Sequence, residues 1–266
     1  MLLQRLVPQA IIAHCTRASS THFGFEKVPE DEKASRVHTV FVNVAEKYDL
    51  MNDAMSAGIH RLWKDHFVEQ LDVRKDWKII DVAGGTGDIA FRIARKTAKT
   101  PGSTGDIVVC DINQKMLDVG QFRASQDKTL PDKFQWICGD AEKLPFADNS
   151  FDLYTIAFGI RNVTHVDKAL EEAHRVLKPN GRFFCLEFSK VCSPLRPFYD
   201  LYSFNVIPQM GRLLANDYDS YKYLVESIRM FPDQEKFSEM IRTAGFKNIT
   251  YQNLSFGVCA VHSGRK

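Results

Sequence analysis

The chain is 266 residues long, 44% hydrophobic and 26% charged, proportions that suit one soluble domain with a full core. Its formal net charge is +2, and Arg5 and Arg17 account for all of it, so the near-neutral body carries no electrostatic signature of a nucleic-acid partner. No apolar run approaches the roughly 18 to 20 residues of a membrane-spanning helix, although peripheral contact stays open.

Residues 1–20, MLLQRLVPQAIIAHCTRASS, hold two arginines, several hydroxyl side chains and no acid; the first acidic residue is Glu26. That pattern suits an amphipathic mitochondrial transit peptide better than a secretory signal, because Pro8, Gln9 and His14 break the apolar runs. From Asp31 onward, Val37, Val40, Phe41, Val44 and Tyr48 are spaced as one face of a helix, with Asp31 and Glu32 near its start. A second helical segment runs from His60 to Leu71.

Trp77 to Asp88, WKIIDVAGGTGD, organises the rest. A β-branched run (Ile79, Ile80, Val82) leads into Gly84, Gly85 and Gly87, and the apolar periodicity of a helix follows from Asp88. Glycines there let the backbone turn sharply and approach a ligand closely, as in a nucleotide-binding turn. Three more apolar strands follow: 107–110 with Asp111 at its end, 134–138 before Gly139-Asp140-Ala141, and 151–158. Helices are expected over Gln114–Ala124 and near 166–177. A turn at Lys178–Gly181 precedes the strand 182–188. Strands alternating with helices mean a parallel sheet covered on both faces, and two extended runs, 246–254 and 256–262, close it as an antiparallel pair.

Residues 193–231 break the alternation. They carry Phe198, Tyr199, Tyr202, Phe204, Tyr218, Tyr221, Tyr223 and Phe231, with three prolines at 194, 197 and 208. The segment reads either as a lid over an apolar substrate or as an ordinary packing layer. The six cysteines form no C-x-x-C pair, and Cys110, Cys138, Cys185 and Cys259 fall in apolar runs, so buried free thiols in a reducing compartment are expected. The eight histidines form neither H-E-x-x-H nor H-x-H, and no metal site is expected.

Gly85 to Ala90 satisfies G-x-G-x-x-A, and Asp111 lies 24 residues beyond Gly87, which matches a dinucleotide fingerprint. Three features pull away from NAD: Asp81 inside the first strand of the sheet, a helical layer before that strand, and a second acid, Asp140, after the third. Together they resemble the class I S-adenosylmethionine (SAM) methyltransferases. That resemblance implies a Rossmann-like, seven-stranded, mostly parallel sheet with one antiparallel strand, N-terminal helices and an inserted aromatic lid. It assigns the ribose diol to Asp111, cofactor contact to Gly85, Thr86 and Gly87, and the adenine border to Asp140 and Ala141. A carboxylate suits a diol, which offers two donors to an acceptor pair.

Further blocks narrow the resemblance to the ubiquinone/menaquinone C-methyltransferases: THFGF (21–25), KYDLMND (47–53), GIHRLWK (58–64), AFGIRNV (157–163), LEFSK (186–190), AND (215–217) and YLVESIRMFP (223–232). The match covers Thr21 to the C-terminus as a single domain and departs at Ala157, where bacterial members often carry serine. It implies methyl transfer from SAM to a ring carbon of a 2-methoxy-6-polyprenyl-1,4-benzoquinol, with Arg161 and Asn162 at the ring and Tyr48 bracing them. It also implies peripheral contact with the matrix side of the mitochondrial inner membrane and a multi-subunit coenzyme Q biosynthesis complex, and it leaves a homodimer open. The rival readings are a SAM methyltransferase for another small molecule, an NAD-dependent oxidoreductase, and a non-catalytic scaffold of the SAM fold.

Overall fold

A computed structural model describes residues 19–44, 48–74, 76–98, 106–130 and 134–266, and of residues 43, 44, 48 and 49 the backbone alone. Most of residues 1–20 therefore lie outside the described residues. An unforeseen hairpin opens the described chain, β1 (Ser20–Phe23) paired antiparallel with β2 (Glu26–Pro29). Gly24 turns it at φ +59°, and a Cβ there would collide with Glu226. Phe23 stacks on Tyr223 with ring centroids 4.1 Å apart, which pins the hairpin to a helix two hundred residues away.

Three helices follow: α1 (Glu30–Val44), α2 (Tyr48–Ser56) and α3 (Ile59–Gln70). Three acids occupy the first turn of α1, where the helix dipole favours them. Val37 is buried as the periodicity predicts, but Tyr48 begins α2, so the helical face inferred from Val37 to Tyr48 does not extend that far.

The main sheet has the order β5-β4-β3-β6-β7-β9-β8, with β3 (Ile79–Val82), β4 (Ile107–Asp111), β5 (Phe134–Cys138), β6 (Phe151–Ala157) and β7 (Leu177–Phe188) parallel. β8 (Lys247–Leu254) and β9 (Cys259–Arg265) form the expected antiparallel pair, and β9 is the strand that runs against the rest. The four residues of β3 are all buried, as a central parallel strand requires. Alternate side chains feed two cores. Ile80, Val82, Tyr154 and Ile156 meet α6 (Val166–Val176) and α10 (Gln234–Thr243) on one face. Ile79, Val109 and Leu153 meet α3, α4 (Asp88–Ala98) and α5 (Gln114–Gln126) on the other.

Two local readings are corrected. Lys178–Gly181 is not a turn ahead of a strand but lies within β7, where pairing jumps from Phe151↔Leu177 to Leu153↔Arg182. The surplus residues bulge out of the ladder with Asn180 at φ +64°. Cys110, Cys185 and Cys259 are buried free thiols, but Cys138 is exposed because it ends β5 at the sheet edge. Residues 193–231 fold as α7 (Arg196–Asn205), α8 (Ile207–Met210) with a π turn over Gly211–Ala215, and α9 (Tyr218–Met230).

The strand order reverses direction between β3 and β6, the position where open α/β sheets bind ligands beyond their carboxyl ends. Each strand is followed at once by a residue of positive φ, Ala83 at +51° and Phe158 at +55°. Such non-glycine conformations cost on the order of 1–3 kcal/mol each and persist where surrounding structure enforces them. A Cβ on Gly159 would collide with that of Ala83, so the two strand ends touch only because residue 159 is glycine.

Candidate active site

Beyond the ends of β3, β4 and β5 lies a cleft of about 170 Å³ lined by Asp81, Gly85, Thr86, Asp111, Asp140 and Ala141, among others. Asp111 is fixed at both oxygens: Gly85 N donates to Oδ2 at 2.9 Å and Asn113 N to Oδ1 at 2.8 Å. Burial still pushes its carboxyl above the ordinary aspartate range, with the two amides opposing. Each oxygen keeps lone-pair capacity for a further donor, and a diol supplies two. Asp140 caps its own loop by accepting from Glu142 N at 2.9 Å.

Gly87 stands apart. It does not line the cleft; a Cβ there would sit 2.7 Å from Trp136 and 3.0 Å from Phe91, so its job is to admit those rings beneath the loop. The structure thus brings Gly85, Thr86, Asp111, Asp140 and Ala141 together along the cleft and sets Gly87 against the rings behind the loop.

Asp81, which the sequence marked but did not assign to the site, forms the floor. Thr155 Oγ1 donates to its Oδ1 at 2.8 Å, and Oδ2 is buried without a partner among the described residues. Burial lifts this carboxyl to about 7. Because the folded value lies above the ordinary aspartate value of 3.8, holding the charge costs nothing below that pH, costs more as pH rises, and reaches its full cost above about 7. Asp81→Asn is therefore expected to raise the Tm of ligand-free protein at pH 8, by ~3 °C or more. It should also weaken binding of a cationic ligand group; a Tm lowered at pH 8 would contradict this account.

A second cavity, of about 480 Å³, shares Phe41, Lys64 and Phe158 with the first. Its wall is aromatic: Phe188, Trp63 and, from the inserted helices, Tyr199, Tyr202, Tyr221 and Tyr223. Arg161 lies in this wall, in a 3-10 turn (Ile160–Asn162) that follows β6. Its Nη1 donates to Glu187 Oε1 at 3.0 Å and to the Phe158 carbonyl at 2.6 Å. The side chains of this pair are 6% and 1% exposed, and the guanidinium lies 5.3 Å from the Phe188 ring centre. Burial raises the Glu187 carboxyl, with Arg161 pulling the other way. Asn162 faces the first cleft instead, and its Oδ1 accepts from Tyr223 Oη at 3.0 Å. Arg161 Nε and Asn162 Nδ2 are buried donors with no partner among the described residues. The Tyr48 side chain lies outside the described residues.

Glu187 and Tyr223 went unassigned from sequence, yet a signal existed for the first. A lone carboxylate inside the apolar run RFFCLEF needs a buried cation. Lys64 was also missed; its Nζ reaches Asp88 at 2.7 Å and ties α3 to the start of α4 at the seam of the two cavities.

Residues 29–266 match the model of the ubiE/COQ5 methyltransferase family. The chain belongs to this family. It is 56% identical over 247 residues to the mitochondrial 2-methoxy-6-polyprenyl-1,4-benzoquinol methylase of Caenorhabditis elegans, covering 92% of this chain and 85% of that one. It is equally identical over 250 residues to the ubiquinone/menaquinone biosynthesis C-methyltransferase UbiE of Cereibacter sphaeroides, covering 94% and 98%. A SAM-dependent methyltransferase of Thermotoga maritima shares the fold at 20% identity and a TM-score of 0.57, over 87% of this chain and 99% of that one. Family membership sets aside the dinucleotide reading of the glycine loop. A ubiE/COQ5 methyltransferase needs a donor site and an acceptor site in contact, and the two cavities meet at Phe158. The first cleft fits SAM by its acceptor set: a paired-oxygen acceptor in Asp111, a buried Asp81 carboxyl whose Oδ2 has no partner among the described residues, and a glycine loop that Cβ atoms would fill.

Proposed function

We propose that this protein transfers the methyl of SAM to a ring carbon of 2-methoxy-6-polyprenyl-1,4-benzoquinol in mitochondrial ubiquinone synthesis. The observation that carries it is the junction of an acid-lined cleft with an aromatic cavity, with Arg161 and Asn162 at their boundary. The names of the mitochondrial and bacterial relatives support the substrate class.

In this reading Asp111 holds the ribose diol, Gly85 and Thr86 let the donor approach the loop, and Asp140 with Ala141 borders the adenine. When bound, SAM supplies an electrophilic methyl. The chain supplies the rest: it orients the ring in the aromatic cavity, keeps water out, and favours the phenolate form that makes the neighbouring carbon nucleophilic. Arg161 is the phenolate-stabilising cation. A guanidinium that donates to Glu187 and Phe158 offers donors and no acceptor, so it is no base. Asn162 adds a neutral donor, held by Tyr223, whose hydroxyl burial pushes up to about 12. Regiochemistry tests the reading: product formed from the reduced ring should carry the new methyl on carbon, and methyl on oxygen would contradict it.

The inserted helices act as lid and tail channel. α7 is apolar on both sides, with Tyr199 and Tyr202 toward the cavity and Phe198 and Leu201 outward, 71% and 65% exposed. Leu213 on the π turn is 78% exposed, with Arg212 beside it. Apolar residues flanked by arginine suit the surface of an anionic bilayer and support a reading in which the protein sits on the matrix face of the inner membrane, with residues 1–20 as its transit segment. The same face can also meet subunits of a coenzyme Q biosynthesis complex or a second copy. Phe198→Glu with Leu213→Glu is expected to lower co-sedimentation with cardiolipin-containing vesicles at least several-fold. It should reduce turnover of long-tailed quinols more than short-tailed ones. Unchanged vesicle binding would sink the membrane assignment.

A further inference from the structure

The proposed reaction leaves a proton to be carried away. Methyl transfer to a ring carbon forms a carbon–carbon bond, breaks the methyl–sulfur bond with its electron pair left on sulfur, and releases one proton per turnover from the quinol. The acceptor cavity is lined largely by apolar and aromatic side chains, and Arg161 is already protonated and paired.

We propose that His60 is the proton relay of this cavity, accepting the quinol proton and passing it to a polar pocket on the outer surface. The inference rests on the methyltransferase reading above. His60 lines the aromatic cavity and also a separate pocket walled by Arg61, Asp88, Arg92 and Arg123. Among the described residues no other side chain lines both.

The hydrogen bonds around the ring fix its tautomer. Ser56 Oγ lies 2.7 Å from the Asn52 carbonyl, which can only accept, so the single hydroxyl proton points there. Ser56 Oγ also lies 2.8 Å from His60 Nδ1, and that contact must then be an N–H donating to the hydroxyl oxygen. The backbone N–H of His60 donates to the same oxygen at 3.3 Å. Nδ1 thus carries the hydrogen of the neutral ring and Nε2 is left as the basic nitrogen. Asp53 Oδ1 stands 3.7 Å from Nε2, placed to meet the imidazolium once Nε2 gains its proton.

The surrounding charges set the ring's ordinary state. Burial and Lys64 hold its basicity below the usual histidine value, Arg61 adds to this, and Asp53 and Asp88 oppose it. Arg92 and Arg123 face it from the outer pocket, and the tyrosines of α7 and α9 face it across the cavity. The ring is consequently neutral at physiological pH and able to accept, and it returns its proton readily. A fall in pH protonates His60 and removes the acceptor, so kcat should drop on an acid limb whose midpoint lies below the ordinary histidine value.

The test is His60→Gln in full-length protein, assayed with methyl-labelled SAM and a short-tailed reduced methoxybenzoquinol. Turnover is expected to fall roughly 100-fold, the scale of a lost acid–base group. KM for both substrates and SAM affinity should be retained, the acid limb abolished, and part of the rate restored by added imidazole. Ser56→Ala keeps the ring and frees its tautomer, so a loss of roughly ten-fold or less is expected, with the acid limb still present. Wild-type activity with an unaltered pH profile in His60→Gln would overturn the relay and leave the methyltransferase standing. So would a loss confined to KM. No methyl transfer by wild-type protein would instead remove the functional reading and the relay with it.

Discussion

Arg161→Ala is expected to lower turnover by ~10²–10³, the scale of losing one preorganised donor to a developing anion, while SAM affinity changes less than about three-fold. It also carries a second, separable cost. Glu187 is 1% exposed and draws its positive partner from Arg161 alone among the contacts described, so removing the guanidinium strands a buried carboxylate. Breaking such a pair costs about 3–5 kcal/mol, which corresponds to a Tm lower by roughly 10 °C. Arg161→Ala combined with Glu187→Gln removes the stranded charge and should recover most of that stability, but none of the turnover. A double variant that regains activity along with stability would show that Arg161 serves only to hold Glu187. Arg161→Lys is informative too: both bonds leave one nitrogen, Nη1, and the shorter lysine keeps the charge but loses that reach and the planar contact over Phe188, so partial activity with reduced stability is expected.

The second large effect is at Asp111. Its two oxygens are aimed by the Gly85 and Asn113 amides, so the carboxylate is organised before any ligand arrives. Charge-assisted hydrogen bonds contribute about 1.5–3 kcal/mol each, and a diol makes two. Asp111→Ala should weaken SAM binding by ~10²–10⁴, measured by calorimetry, without altering the quinol cavity. Asp111→Asn keeps the size but offers an amide donor where a donor already points, toward Gly85 N or toward the diol, and should lose nearly as much. Unchanged SAM affinity in either variant would remove Asp111 from the ribose role. Product formed at saturating SAM should still be detectable with Asp111→Ala, whereas Arg161→Ala stays slow at any concentration.

The sequence was legible where one element decides its own form. Ile107–Cys110 is apolar throughout, and Ile79–Val82 and Phe151–Ile156 are apolar but for Asp81, Asp152 and Thr155, because both faces of their strands are covered, and the glycine loop announces a close approach to a ligand. It was less legible where distant segments set the outcome. The hairpin of residues 20–29 buries a single apolar side chain, Val28, and depends on Tyr223 and Glu226, so its local pattern is too short to show it. Tyr48 keeps the helical spacing of Val37 yet starts a new helix, since periodicity does not reveal a break. Gly87 sits in the ligand motif but makes room for Trp136, a contact made across the chain. His60 and Glu187 lie in blocks that identify the family, but their roles come from partners found only in the fold, Ser56 with Asp53 for one and Arg161 for the other. Arg161 was singled out from its motif, and the structure adds the pair with Glu187 that constrains it.

In the proposed reaction one cavity delivers a methyl group to the other across Phe158. The direct measurement incubates the protein with methyl-labelled SAM and a short-tailed methoxybenzoquinol kept reduced, then scores label in the organic extract beside SAM binding in the same preparation. Label on the ring at the rate of many turnovers per protein, absent when the ring is oxidised to the quinone, is the predicted result. SAM bound at full stoichiometry with no label transferred to the reduced ring would contradict it.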